Sequence, residues 1–291
     1  MTQNFSDYQN SILHLHLAKQ VSIRRAHECL NNPQAQTSRE QLQLSRDALD
    51  GSSTTQLTRW LDEPATHCVT FGHEAYPAVL RTLSDPPLVL YGQGSWRVLN
   101  KPAVAIVGAR RCSPRGAAHT YRLAREIASQ GWCVVSGLAR GIDAAAHRGA
   151  LASGLPGSTV AVLGTGMDKT YPTEHAALAQ EIVQSGGLLL TEFALGTAVM
   201  PKNFPQRNRI VAALGRATII AQAEMRSGSM ITARLALELG REVLAVPGAP
   251  DDPLAEGPHE LIRQGAGLID QADDLWRAFG LPIAGQADNS T

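Results

Sequence analysis

Six apolar segments between residues 103 and 246 share one rhythm, and that rhythm restricts the chain to very few folds. Each is short, ends at a small-residue turn and is followed by a helix-period pattern. The segments are Val104–Val107, Cys133–Ser136, Val160–Leu163, Leu188–Leu190, Thr218–Ala221 and Val243–Val246. Strands without polar alternation are buried on both faces. Strand–helix alternation of this length predicts an α/β fold with a doubly wound, mostly parallel sheet. Helices are expected from about Gly116, Asp143, Ala176, Arg207 and Ser227, and near His259 and Ala272. The reading divides the chain into a small helical domain over 1–62, a connector with edge elements over 63–100, the sheet domain over 101–280 and a flexible tail over 281–291. Leu88–Tyr91, inside the connector, reads as an edge strand.

At 291 residues and 44% hydrophobic, the chain can bury a sizeable core. No apolar run reaches the roughly 18–20 residues of a membrane span. The polar start argues against a signal peptide. Cys29, Cys68, Cys112 and Cys133 are scattered without a C-x-x-C pair, which reads as reduced thiols in a cytoplasmic protein. The net charge is +0, but it is segregated. Lys101–Ala150 carries eight basic residues against two acidic ones, whereas Asp251–Thr291 carries two against eight. One local face is therefore expected to be strongly positive.

In an open parallel sheet, ligands bind at the carboxyl ends of the strands. The turns found there are Gly108 to Ser113, Gly137 to Gly141, Gly164-Thr165-Gly166, Lys202 to Arg209, and Arg226 to Ser229. Glycine, arginine and serine recur, and these residues suit a phosphate: close backbone approach, helix amides and cations. A dinucleotide is disfavoured, because arginines follow Gly108 where a second glycine is needed and no acidic residue ends the second strand. No Walker A run exists. No nucleophile–base pair stands out, and no metal or other cofactor is expected.

The stretch Pro201-Lys202-Asn203-Phe204-Pro205-Gln206-Arg207-Asn208-Arg209 joins a ring to three cations, in what reads as a loop held open by two prolines. Cations neutralise phosphates and a ring stacks on a base, which is what a sequence-tolerant grip on single-stranded nucleic acid needs. Plainer roles compete at each residue. The glycines could be simple turns, Asp143, Ser227 and Ser229 helix caps, His147 a packed side chain, and Phe204 core. Arg207 and Arg209 could tie to strand-end carbonyls or to Glu192. Lys202 and Phe204 are the stronger candidates for nucleic acid, and Arg207 for holding the loop.

Several of these motifs, in this order, resemble the DprA/Smf (DNA-processing protein A) family over about residues 66–275. They are Val104 to Arg110, Ser136-Gly137-Leu138-Ala139-Arg140-Gly141-Ile142-Asp143, Phe204 to Arg209, Ser227 to Ala233, Val246-Pro247-Gly248, and Leu261 to Ala266. The resemblance implies an extended Rossmann domain behind a sterile-alpha-motif-like helical module. It implies a non-enzymatic homodimer that binds single-stranded DNA and delivers it to a RecA-type recombinase in natural transformation. By motif, Arg110, Lys202 and Arg209 would contact phosphates and Phe204 would stack on a base. Gly108, Ser113, the Gly137 backbone, Arg140, Arg207, Asn208, Ser227 and Gly228 complete the expected DNA site. The sequence departs from the family pattern at Ala109, where serine is common, at His175 and His259, where asparagine is usual, and at Gln222, where glutamate is usual. No C-terminal winged helix is expected after Phe279. The rival readings are a nucleotide-sensing module and a phosphoribohydrolase-type Rossmann enzyme. The second needs glutamates where Ala233 and Arg234 stand.

Overall fold

A computed structural model of the chain describes Leu13 and residues 51–281. The small helical domain expected over 1–62 lies outside the described residues, apart from Leu13 and helix α1 (Gly51–Leu61). The expected tail lies outside them beyond Leu281. Strand β1 (Thr66–Thr70), the one-turn helix α2 (Ala78–Arg81) and strand β2 (Val89–Gly94) follow α1. The alternating part then runs β3 (Ala103–Val107), α3 (Pro114–Ser129), β4 (Cys133–Ser136), α4 (Ile142–Leu151) and β5 (Thr159–Val162). It continues through α5 (Ala176–Gln184), β6 (Leu188–Thr191), α6 (Asn203–Leu214), β7 (Ala217–Ile220) and α7 (Gly228–Glu238). The last elements are β8 (Glu242–Ala245), α8 (Glu256–Arg263), β9 (Gly267–Leu268) and α9 (Ala272–Ala278).

These strands form one nine-stranded sheet in the order β1-β2-β6-β5-β4-β3-β7-β8-β9. The seven strands from β6 to β9 pair in parallel, and β2 and β1 add antiparallel at one edge. The fold is the expected α/β class: a Rossmann-like, doubly wound, mostly parallel sheet. From β3 the chain steps outward to β6 on one side, then returns to build β7 and β8 on the other. The switch point thus lies between the carboxyl ends of β3 and β7, where such sheets open a crevice.

Burial on both faces explains the unbroken apolar runs. Along β3, Val104 and Ile106 join the cluster under α3, α4 and α9, which includes Leu123, Ile127 and Trp276. Ala105 and Val107 face the opposite cluster, with Ile210 and Val211 of α6 and Ala233 of α7.

Two expectations change. Leu88–Tyr91 is not an edge strand, because β2 sits between β1 and β6 and its Val89, Leu90 and Tyr91 are fully buried. The edge is β1, whose Thr66 and His67 are half-buried and give no apolar run. Secondly, α6 starts at Asn203, not near Arg207, so Pro205 does not hold a loop open. It is the third residue of the helix, where the backbone N–H has no intrahelical partner for proline to remove.

Helix α4 is sunk into the layer behind β4 and β5, and Ala144 to His147, Gly149 and Ala150 are all buried. A Cβ on Gly149 would strike the Tyr121 backbone, so glycine sets the close α3–α4 approach. His147 is the polar exception. Its Nε2 accepts from the Leu138 N–H at 3.3 Å and its Nδ1 lies 2.7 Å from Thr159 Oγ1. Thr159 Oγ1 donates to the Val134 carbonyl, so it accepts from Nδ1–H and the neutral ring is fixed in one tautomer. Burial, aided by the charges of Arg207, His175 and Arg148, pushes the His147 pKa down to about 3. No helix among the described residues is long and apolar enough to cross a membrane.

A histidine whose folded pKa is depressed charges first in the unfolded chain. The stability it permits is complete above about pH 6.5 and falls with acid by about 1.4 kcal/mol per pH unit. His147→Gln is therefore expected to be less stable than wild type at pH 7.5. Urea titrations should show that gap narrowing as pH falls from 6.5 towards 4, and a gap independent of pH would refute the linkage.

Candidate functional site

The switch point holds a cleft of about 450 Å³. One wall is the turn after β3, with Gly108, Arg110 and Arg111. The second is the first two turns of α6, and the third is the start of α7, with Ser227 and Gly228. A smaller neighbouring recess joins Arg110, Gly137, Arg140 and Phe204 to Tyr171 and Pro172.

Helical spacing divides the work of α6. Phe204 and Asn208, four residues apart, line the cleft. Asn203 and Arg207, also four apart, are buried and tie the helix to strand ends. Asn203 Nδ2 donates to the Gly164 carbonyl at 3.1 Å, and Arg207 Nη1 donates to the Val162 carbonyl. The Arg207 guanidinium lies flat on Gly137, where any Cβ would collide with it. Gly137 is thus a glycine for the sake of Arg207, and its own N–H donates to Asp143 Oδ2 at 3.1 Å.

Burial lowers the Arg207 pKa to about 10, so it stays a cation at neutral pH, helped by the nearby Asp143. Burial raises Asp143, against Arg207 and the amides of Ala139 and Gly137. Asp143 is therefore the anchor of the turn after β4 and not an N-cap; Gly141 holds that position. Arg207 Nε remains buried without a partner among the described residues.

Arg209 is also internal. Its Nη1 and Nη2 donate to the two oxygens of Glu192 at 2.5 and 2.7 Å, and its Nε donates to the Asp85 carbonyl at 2.9 Å. Its geometry does not support the phosphate contact implied by the resemblance. Both alternatives left open for Arg207 and Arg209 occur, one at a strand-end carbonyl and the other at Glu192.

Phe204 is half-buried. A Cβ at Gly164 would come within 2.8 Å of its ring, so the glycine makes room for it. The Tyr171 ring lies 5.4 Å away and the Arg110 guanidinium sits 5.3 Å from the ring centroid. Exposed Arg140 donates through Nε to Glu174 at 2.5 Å. The bond and charge of Glu174 raise the Arg140 pKa, and Arg140 lowers that of Glu174.

Ser227 precedes α7 without capping it, and its hydroxyl is buried and unpartnered among the described residues. Ser227, Gly228 and Ser229 line the cleft, which places the positive end of the α7 dipole at its wall. Asn208 Nδ2 braces this turn through the Gly228 carbonyl at 3.3 Å.

The cleft thus gathers Gly108, Arg110, Phe204, Arg207, Asn208, Ser227 and Gly228, and the recess adds Gly137 and Arg140. Lys202, exposed at the start of α6, and Ser113 lie outside both. Ser113 caps α3, accepting from Gly116 N–H at 3.0 Å, and is held by Gln222, whose Oε1 accepts the Ser113 N–H at 2.9 Å. Tyr171 and Glu174 were missed. Tyr171 carried the same signal as Phe204, an aromatic beside a proline after a strand, but Glu174 carried none that separates it from a solvated carboxylate.

Fold and cleft together define a class: Rossmann-like proteins with a crevice at the sheet's switch point lined by glycine, arginine and serine. The sequence places the chain within it. Residues 67–280 match the profile of the DNA recombination-mediator protein A family, and the chain belongs to that family. It is 40% identical over 224 residues to Protein Smf of Escherichia coli (strain K12), spanning 76% of this chain and 59% of that protein. It is 42% identical over 206 residues to the DNA processing protein DprA of Streptococcus pneumoniae, spanning 71% and 72%. The solved structure of S. pneumoniae DprA superposes with a TM-score of 0.76 at 30% identity, covering 94% of this chain and 98% of that one. DprA of Helicobacter pylori, whose structure concerns a single-stranded DNA binding mode, superposes at 0.66 with 34% identity, covering 73% and 95%.

Removing one partner of a buried ion pair strands the other charge, at a cost of about 3–5 kcal/mol. Arg209→Ala is expected to lose that much in urea unfolding, and Arg209→Met combined with Glu192→Leu to recover most of it. If Arg209→Ala kept full stability and lost only ligand affinity, Arg209 would belong to the binding surface.

Proposed function

We propose that this protein binds single-stranded DNA without strong sequence preference and without chemical turnover, in DNA processing linked to transformation and recombination. The observation that carries the reading is the Arg110 guanidinium over the Phe204 ring at the mouth of the switch-point cleft. A cation and a flat apolar face at one spot serve a phosphate and a base together. The H. pylori relative, described as binding single-stranded DNA, supports the same reading. Arg110, Arg140 and Lys202 supply exposed charge, Phe204 the stacking face, and the α7 amides a phosphate seat. Homodimerisation and delivery to a RecA-type recombinase belong to the proposal on the strength of the family alone.

The phosphoribohydrolase alternative is less well supported. Ala233 is buried in α7 and Arg234 is exposed, so neither brings a carboxylate to the cleft. Asp143, which does line it, is engaged with the amides of Gly137 and Ala139. Free base released from a nucleotide by the purified protein would restore that alternative.

Arg110→Ala and Lys202→Ala are each expected to weaken oligo-dT binding and to reduce the slope of log K against log[salt] by about 0.7, one single-strand phosphate. Phe204→Ala should cost about 1–3 kcal/mol, one stacked base. Full wild-type affinity and slope in all three variants would remove the strand from this cleft. Glu174→Gln releases Arg140 from its carboxylate, so binding should tighten at low salt and the gain should fade as salt screens it. Unchanged low-salt affinity would mean that Arg140 does not meet the strand.

A further inference from the structure

Of the arginines that crowd Lys101–Ala150, the cleft and its neighbouring recess take only Arg110, Arg111 and Arg140. Arg110 and Arg111 stand on its wall, and α3 begins immediately beyond them. Helix α3 then runs away from the cleft for 16 residues, about 24 Å. Its exposed face carries Arg115, Arg122 and Arg125. Arg115 and Arg122 are seven residues apart, two turns on one face and about 10 Å along the axis. His119 lies between them in sequence and half-buried. Burial depresses its pKa, and Arg122 and Arg115 add to that effect against Asp270 and Glu126.

Nothing in the folding of α3 calls for these cations. Arg115 stands in the first turn, where the helix dipole disfavours positive charge, and no acidic residue accompanies it there. Arg122 and Arg125 are like charges at i, i+3, a spacing that costs stability when both are cationic. Glu126 follows Arg122 at i+4, in the weaker orientation for such a pair, and makes no ion pair with it. Arg111, Arg115 and Arg122 form no ion pair or side-chain hydrogen bond among the described residues. Asp270 acts on His119 in the middle of the helix, and Glu126 and Asp273 line one groove with Arg125 at its far end. Positive charge therefore adjoins the cleft at the start of α3, along the face that carries Arg115 and Arg122, and acidic residues border it at its later turns.

We infer that the exposed face of α3 is a second, extended contact for DNA: Arg115 and Arg122 hold the phosphodiester backbone of the strand as it leaves the cleft past Arg111. The inference rests on the cleft being a single-strand site, and it adds the direction in which the strand continues. Longer strands gain phosphate contacts along α3 that a strand confined to the cleft never reaches. The gain is electrostatic and sequence-independent, because arginine meets only the backbone.

The test is a salt series on two oligo-dT lengths, about 5 and about 25 nucleotides, one near the lower end of the roughly 4–16-nucleotide footprint of single-strand-binding folds and one beyond its upper end. Wild type is compared with Arg115→Ala/Arg122→Ala and with Arg115→Lys/Arg122→Lys, each checked for an unchanged unfolding midpoint. On the long oligomer the alanine pair should lose affinity, with a log–log salt slope smaller by about 1.4, two phosphates at about 0.7 each. The lysine pair should keep both, and on the short oligomer all three proteins should bind alike. A long-oligomer slope that survives the alanine pair overturns the track. So does equal loss on both lengths, which would place the arginines at the cleft itself. Wild type binding neither oligomer would overturn the single-strand reading, and the track with it.

Discussion

The buried contact between Arg209 and Glu192 ties α6 to the end of β6, and what the cleft presents depends on that. The guanidinium reaches both carboxylate oxygens from the second turn of α6 to the residue just after β6, and its Nε holds the Asp85 carbonyl. Arg207 and Asn203 fasten the same helix to the ends of β5 and the turn after it. Three buried polar side chains thus fix both the register and the rotation of α6. With the rotation set, Phe204 and Asn208 must face the cleft, since they occupy the neighbouring stripe. A buried ion pair is weak evidence for stability; here it ties the second turn of α6 to the residue after β6.

The arginines divide by burial. Those that build the site, Arg207 and Arg209, are nearly inaccessible, and their donors are largely committed to carbonyls and carboxylates. Those offered to a ligand, Arg110, Arg111 and Arg140, are exposed. An exposed guanidinium remains solvated until an anion arrives, so it can exchange counterions for phosphates with little reorganisation. A buried one is already desolvated and cannot leave its partner without stranding a charge. One residue type does two opposed jobs around a single cleft.

This division explains how far the sequence could be read. The parallel sheet was legible because Val104–Val107 and its counterparts are buried on both faces, and such burial leaves an apolar run. The ligand end was legible because glycines and arginines recur after those runs. β1 left no trace, since an edge strand with half-buried Thr66 and His67 needs no apolar pattern. The start of α6 was misplaced because Pro205 reads as a breaker, although a first-turn proline removes no helical bond. The roles of Arg207 and Arg209 were undecidable locally. Their partners, Val162, Glu192 and Asp85, lie 17 to 124 residues away, and only the folded sheet brings them together.

The same reasoning bears on Gly137 and on what the family motif records. Taken alone, glycine after a strand suggests a backbone that approaches phosphate closely. Here its N–H belongs to Asp143, and its missing side chain makes room for Arg207. Leu138, next in the turn, takes a positive φ of 56°, costly for a leucine. Its N–H is bound by His147 and its carbonyl by His175 at 2.9 Å. The turn after β4 is thus held on every side by α4, α6 and the segment before α5. It holds the cleft in shape, and the exposed arginines of the site lie on either side of it, Arg110 without an ion pair among the described residues and Arg140 paired with Glu174. A motif can therefore hold a cleft together from within, and in this chain burial separates the arginines that hold it, Arg207 and Arg209, from those it leaves exposed, Arg110, Arg111 and Arg140.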